Sequence, residues 1–91
     1  MRLRVRVPGH LKEYVPKEVY EKSGGEAGDF NMTVEGPLTL RDLMEIIGLR
    51  PQLAIGALFN GRRVGRDELV EGDGELVILS PIAGGEGDVE G

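Results

Sequence analysis

The chain has 91 residues, 40% of them hydrophobic but with only two Phe, two Tyr and no Trp, which limits it to one small domain with an aliphatic core and no deep pocket. It contains no cysteine, so disulfides, thiolate metal ligands and a cysteine nucleophile are excluded. A formal charge of −5, the lack of about 18 consecutive apolar residues and the lack of a signal-peptide core predict a cytoplasmic protein that binds neither nucleic acid nor membrane.

The first third of the chain is predicted to form two strands joined by a long connection. Residues 2–7 alternate arginine and apolar side chains, which is the period of a half-buried strand with a solvated outer face. Residues 30–35 also alternate and are expected to pair with the first strand as a wide hairpin. Between these strands, Pro16 is expected to open a short helix over residues 17–22, and the glycines of residues 23–25 to end it.

The clearest helix signal follows the Gly-Pro break at residues 36–37. Thr39 is a suitable N-cap, Asp42 three residues later completes a weak capping box, and Gly48 is the expected C-cap. The apolar residues between these caps recur at i, i+3, i+4 and i+7 and are Leu40, Leu43, Met44 and Ile47. This spacing predicts one amphipathic helix that turns its apolar face to the core.

The second half of the chain is predicted to contain three strands. Residues 54–59 form an aliphatic strand, and Asn60-Gly61 favours a type I′ turn into a short return strand at residues 63–64. Residues 67–69 are expected to form one helical turn before the last strand at residues 75–79. The order strand, strand, helix, strand, short strand, strand is the β-grasp order, so we expect an α+β fold with a mixed four- to five-stranded sheet wrapped on one main helix.

The most informative stretch is residues 78–85, which read Ile-Leu-Ser-Pro-Ile-Ala-Gly-Gly. A strand that ends at a proline and continues into two glycines suits entry into another protein's narrow site, because glycine has no Cβ to clash. Residues 86–91 follow and contribute the acids Glu86, Asp88 and Glu90. A plain flexible linker is the alternative interpretation of the glycine pair.

Other residues that could carry chemistry are few. His10 has no cysteine and no second histidine with which to bind a metal ion. Four acids fall within residues 67–73, but they lack the spacing of a calcium loop and are expected to form a solvated turn. Phe59 is either an exposed docking residue or part of the core. We therefore expect no catalytic residue and no metal ligand within the chain.

Three residue patterns occur together at a spacing typical of one family. They are Thr39-Leu40-Arg41-Asp42-Leu43 after Gly36-Pro37, then Phe59-Asn60-Gly61-Arg62-Arg63-Val64, then Gly72-Asp73 followed by Val77-Ile78-Leu79-Ser80-Pro81-Ile82-Ala83-Gly84-Gly85. Over residues 2–85 the chain resembles the ubiquitin-like sulfur carriers, which include the molybdopterin synthase small subunit and the thiazole-synthesis carrier. Pro81 makes the end more similar to the molybdopterin type. The chain departs from the family in its long first connection and in the residues beyond Gly85.

The resemblance implies a reaction at the C-terminal glycine of the family motif. After removal of residues 86–91, the Gly85 carboxylate would be adenylated with ATP and converted into a thiocarboxylate for sulfur transfer in cofactor biosynthesis. The other implied site residues are the tail lead-in Gly84, Ala83 and Ile82, and the possible docking residues Phe59 and Pro81. The resemblance implies no cofactor bound by the chain itself, because ATP is used by the activating partner.

The implied partners are enzymes. They are an adenylating enzyme of the ubiquitin-activating type, a sulfur-acceptor enzyme such as the large subunit of molybdopterin synthase, and a JAMM-type zinc metallopeptidase that would remove residues 86–91. The implied domain organisation is a carrier-like domain at residues 1–85 and a flexible acidic extension at residues 86–91. The alternative is a non-catalytic β-grasp module that binds proteins and whose Gly84-Gly85 pair is never activated.

Overall fold

A computed structural model describes residues 1–80. In this part of the chain the strands are β1 (Arg2–Arg6), β2 (Asp29–Thr33), β3 (Leu38–Thr39), β4 (Gly56–Phe59), β5 (Arg62–Val64), β6 (Leu69–Val70) and β7 (Gly74–Leu79). The α-helices are α1 (Lys17–Glu21) and α2 (Leu40–Ile46), and short 3₁₀ helices cover Gly9–Tyr14 and Pro51–Leu53. None of these helices is both long enough and apolar enough to cross a bilayer.

Five of these strands form one mixed sheet in the order β2-β1-β7-β4-β5, and β3 pairs with β6 in a separate two-stranded sheet. Strands β1 and β7 run parallel, and all other neighbours in the large sheet are antiparallel. The last described strand therefore lies at the centre of the sheet. The prediction of an α+β fold with a mixed sheet of four to five strands is confirmed for residues 1–80.

The N-terminal hairpin follows the alternating pattern of the sequence. In β1, Leu3 and Val5 are buried and lie opposite Met32 and Phe30 of the antiparallel strand β2. The connection between the two strands contributes to the core as well, because Leu11 is fully buried in the first 3₁₀ helix. The helix predicted at residues 17–22 is present as α1, with Pro16 as its N-cap.

Helix α2 has the caps that its sequence predicts. The Asp42 backbone N–H donates to Thr39 Oγ1 at 3.0 Å, and the Thr39 N–H donates to Asp42 Oδ2 at 3.2 Å, so both bonds of the capping box form. At the other end Gly48 has φ +85°, and the Leu49 N–H donates to the Met44 carbonyl at 2.8 Å. This is a Schellman motif, in which Gly48 follows the C-cap residue itself.

The β4–β5 hairpin has the predicted type I′ turn, with φ +52° at Asn60 and +85° at Gly61. Strand β4 begins at Gly56 and not at Ala54, because the 3₁₀ helix at Pro51–Leu53 occupies the preceding turn. The side chain of Asn60 adds a tertiary contact, since its Oδ1 accepts from the Glu75 N–H at 2.9 Å. The turn therefore ties the hairpin to the start of β7.

The helical turn predicted at residues 67–69 is wrong. Leu69 begins β6, which pairs with β3 through Thr39↔Leu69 and Leu38↔Val70. The strand forms because Val70 must reach the core, where it is 1% exposed, and because β3 offers unpaired backbone groups beside it. The turn before it is closed by a bond from the Glu68 N–H to the Gly65 carbonyl at 3.3 Å.

The core lies between the inner face of the large sheet and α2. It is aliphatic, as the composition predicts, with Phe30 and Phe59 as its buried aromatic residues in the described chain. Helix α2 and its C-cap residue contribute four side chains that are essentially inaccessible to solvent, namely Leu40, Leu43, Met44 and, at the C-cap, Ile47. The opposite face of the sheet is not covered by α2, and this uncovered face bears the candidate site.

Candidate functional site

The predicted tail residues Pro81, Ile82, Ala83, Gly84 and Gly85 lie outside the described residues, as does the boundary between the two predicted segments of the chain. The structure instead shows what precedes them. Strand β7 pairs with β1 from Gly74 to Val77 and with β4 from Leu76 to its last residue, Leu79. The Leu79 carbonyl there accepts from the Ile55 N–H at 2.9 Å, so the chain leaves the sheet from a firmly held central strand.

The uncovered face of the sheet, which we call the outer face, carries one continuous row of side chains across all five strands. The register pairs Arg63 with Leu58, Leu58 with Val77, Val77 with Arg6, and Arg6 with Asp29. Side chains of directly paired residues project on the same side of a sheet. The row therefore has two apolar residues at its centre and an arginine on each side of them.

An apolar patch occupies the centre of the outer face. Leu58, Val77 and Leu79 are each partly exposed, although the residues that alternate with them, such as Leu76 and Ile78, are fully buried. Ile55, next to the end of β7, is 52% exposed. A solvated sheet face normally carries polar residues at such positions, so this patch suits contact with another protein.

The charges around the patch are mostly positive. Exposed Arg2, Arg4 and Arg6 of β1 project on the outer face together with Arg63 of β5, whereas the carboxylates there come from Asp29 and Glu75. Although the whole chain has a formal charge of −5, this face carries more basic than acidic side chains. Such a surface favours a partner whose contact face is acidic.

Two ion pairs fix part of this face. Arg4 donates to both carboxylate oxygens of Asp29, at 2.9 and 2.7 Å, and Arg6 Nη1 lies 3.5 Å from Glu75 Oε2. The hydrogen bond from Arg4 holds the pKa of Asp29 below its ordinary value, and the same bond raises the pKa of Arg4. The guanidinium groups of Arg4 and Arg6 are thus bound to carboxylates of the same face.

A cleft of about 820 Å³ adjoins the patch where the connection after β1 meets the end of the sheet. Arg6, Asp29 and Val77 line both the cleft and the outer face. Its cations Lys12 and Lys17 are matched by acids of the same connection, so its charge is mixed. The long connection between β1 and β2 therefore lines this cleft at one end of the outer face.

Phe59 does not lie on the outer face. Its side chain is 7% exposed and faces inward, paired in register with the fully buried Leu76. A docking role would need an exposed ring, so the structure supports the alternative interpretation that Phe59 belongs to the core. The outward residue of this strand is its neighbour Leu58.

The residues that the sequence interpretation missed are Leu58, Val77, Leu79 and Arg63. One signal for the patch is present in the sequence, because residues 76–79 are apolar on both faces of a strand that has a single helix layer to cover it. No comparable local signal marks Arg63, because its position on the outer face depends on pairing with β4.

Two of the four acids within residues 67–73 are bound by arginines. Asp67 accepts from Arg41 Nε at 2.7 Å, and Glu68 accepts from Arg62 Nη1 at 2.8 Å, which lowers the pKa of both carboxyl groups. Within residues 1–80 no three potential ligands come together as a metal site would require. His10 is exposed on the first 3₁₀ helix, with Glu13 4.0 Å away.

Comparisons with known protein families, with curated proteins and with solved structures find no significant match to this chain.

Proposed function

We propose that the protein is a β-grasp sulfur carrier that presents Gly85 as its reactive terminus after removal of residues 86–91. The observation that carries the proposal is the position of β7. It runs parallel to β1 at the centre of a five-stranded sheet, and after Ser80 the sequence continues as Pro-Ile-Ala-Gly-Gly at residues 81–85. A rigid strand followed by slim residues supports a terminus that is delivered into a partner's site.

The proposed chemistry takes place on the partner enzymes. The Gly85 carboxylate attacks the α-phosphorus of ATP and displaces pyrophosphate, which gives an acyl adenylate. A hydrosulfide equivalent from the partner then attacks the carbonyl carbon and expels AMP, which leaves a thiocarboxylate. Activation is needed because a free carboxylate resists nucleophilic attack, whereas AMP is a good leaving group. The dependence on ATP fits the expected cytoplasmic location.

The outer face is the docking surface in this proposal. Apolar contact area beside the end of β7 comes from Leu58, Val77 and Leu79. The surrounding arginines orient the partner enzyme and raise its association rate. An adenylating enzyme and a sulfur-acceptor enzyme would each contact this face while the tail enters their active sites. The molybdopterin synthase large subunit is the acceptor that Pro81 slightly favours.

Removal of residues 86–91 is part of the proposal, because adenylation needs a free carboxylate at Gly85. A metallopeptidase of the JAMM type is the proposed processing partner. The extension would then control activation, since an amide at Gly85 has no carboxylate oxygen with which to attack ATP.

The test uses three forms of the protein: the full chain, a chain that ends at Gly85, and a matched control that ends at Gly84. Each is incubated with the adenylating enzyme of the source organism, and ATP–pyrophosphate exchange is measured. We expect exchange with the Gly85-ended chain alone, and a mass gain of sulfur for oxygen when a sulfide source is added. Equal exchange with all three forms, or with none, would refute the proposal.

The binding-module alternative is favoured by the same apolar patch, since docking by itself needs no free glycine. Intact mass of the protein purified from its own cells distinguishes the two functions. A native chain that ends at Gly85 supports the carrier, whereas a population that always retains residues 86–91 supports the permanent module.

A further inference from the structure

Arg63 differs from the other arginines that have defined contacts in the described chain. Arg4, Arg6, Arg41 and Arg62 each pair with a carboxylate. Among residues 1–80, no carboxylate lies within ion-pair distance of Arg63, whose Nη2 donates to the neutral backbone carbonyl of Ile55 at 3.3 Å. Since a guanidinium has five N–H donors, this exposed side chain keeps donors for an external acceptor.

The guanidinium of Arg63 lies against the backbone of Gly56. A Cβ placed on Gly56 would stand 2.9 Å from Arg63 Nε and 2.8 Å from the Val64 carbonyl oxygen. These distances are too short for any side chain, and the φ of +155° at Gly56 is one that other residues rarely adopt. The absence of a Cβ therefore lets the guanidinium rest on the backbone of β4, where its hydrogen bond to the Ile55 carbonyl positions it.

This contact between Arg63 and Gly56 lies beside the end of β7, where the chain leaves the sheet. Gly56 is the register partner of Leu79, and Ile55, whose carbonyl accepts from Arg63, donates its own N–H to the Leu79 carbonyl. Ile55 therefore hydrogen-bonds both to the guanidinium of Arg63 and to the carbonyl of Leu79, the last residue of β7. The guanidinium of Arg63 therefore lies beside the end of β7, on the face that the proposed partner contacts.

We propose that Arg63 is a preorganised recognition residue that pairs with a carboxylate at the rim of the adenylating enzyme's tail channel. The inference rests on the proposed carrier function. The acceptor is a protein group and not the adenylate, because Gly85 is six residues beyond Leu79 and an extended segment of that length spans about 20 Å. A carboxylate is the acceptor that a guanidinium binds most strongly among protein groups.

Chains that end at Gly85 are used throughout, so that the acids of residues 86–91 cannot compete for Arg63. The variants are Arg63→Ala and Arg63→Lys, with Arg50→Ala as a control that removes the same charge from an exposed loop outside the sheet. ATP–pyrophosphate exchange is measured as a function of carrier concentration at two salt concentrations, and circular dichroism verifies that each variant is folded.

We expect Arg63→Ala to raise KM about tenfold, the loss typical of one charge-assisted hydrogen bond, with kcat changed less than twofold. The salt dependence of kcat/KM should become shallower, because a rim charge acts mainly on association. Arg63→Lys should recover part of the effect, since it keeps the charge but not the fork geometry. Arg50→Ala should behave as the parent chain.

An unchanged KM for Arg63→Ala, or an equal rise for Arg50→Ala, would overturn the assignment of Arg63 while leaving the carrier function intact. Absence of exchange with the parent chain that ends at Gly85 would instead refute the carrier function, and the inference with it. Exchange measured with the parent chain therefore distinguishes a failure of the Arg63 assignment from a failure of the carrier function.

Discussion

The neighbouring residues Leu58 and Phe59 should respond very differently to truncation. Phe59 is 7% exposed and packs opposite Leu76 in the core, whereas Leu58 is partly exposed at the centre of the outer face. We predict that Phe59→Ala destabilises the protein by about 3–5 kcal/mol, because it removes a buried ring and leaves a cavity. Domains of this size have a total stability of about 5–15 kcal/mol, so the variant should be close to unfolding.

The loss of unfolding free energy expected for Leu58→Ala follows from the partial burial of the Leu58 side chain. Each fully buried methylene contributes about 0.8 kcal/mol, so the loss of three carbons from a partly exposed side chain should cost about 1–2 kcal/mol. The same change should weaken docking if the apolar patch binds the adenylating enzyme. Since each kcal/mol lowers the melting temperature of a domain of this size by about 4–8 °C, the fall should be at least about 12 °C for Phe59→Ala and clearly smaller for Leu58→Ala.

Urea unfolding followed by far-ultraviolet circular dichroism measures both costs on the full chain. Leu76→Ala and Val77→Ala are the matched controls on β7, the first inward and the second outward. Equal costs for Leu58→Ala and Phe59→Ala would refute the strand register, because a shift of one residue exchanges the two faces of a strand.

Two further predictions concern local interactions. Thr39→Ala should cost about 1 kcal/mol in urea unfolding through loss of the N-cap bond to Asp42, and Thr39→Ser should cost much less; equal costs would mean that the cap bond contributes little. The pKa of Asp67 is lowered by Arg41, so this pair stabilises the fold above the ordinary aspartate pKa near 4 and loses its effect as pH falls below it. Asp67→Asn should accordingly lower the urea midpoint at about pH 7 but not at about pH 2, and a difference that persists in acid would contradict this origin.

Much of the local structure could be predicted because its signals are short in sequence. The alternation of β1, the capping box at Thr39 and the type I′ turn at Asn60 all depend on residues within four positions of one another. The prediction failed at residues 67–69, where a local helical propensity was outweighed by pairing between β3 and β6. Such pairing joins segments about 30 residues apart and leaves little trace in either one.

The candidate site likewise has features that the sequence alone indicates and features that depend on the tertiary structure. The slim residues after β7 and the arginine face of β1 are direct properties of the sequence, since they need only residue type and period. The tertiary structure decided that Leu58 and not Phe59 faces outward, and that β7 lies beside β1. It also decided that Arg63 rests on Gly56 at the exit of the chain. Each of these depends on which strands become neighbours, and that choice is made by burial of the whole core.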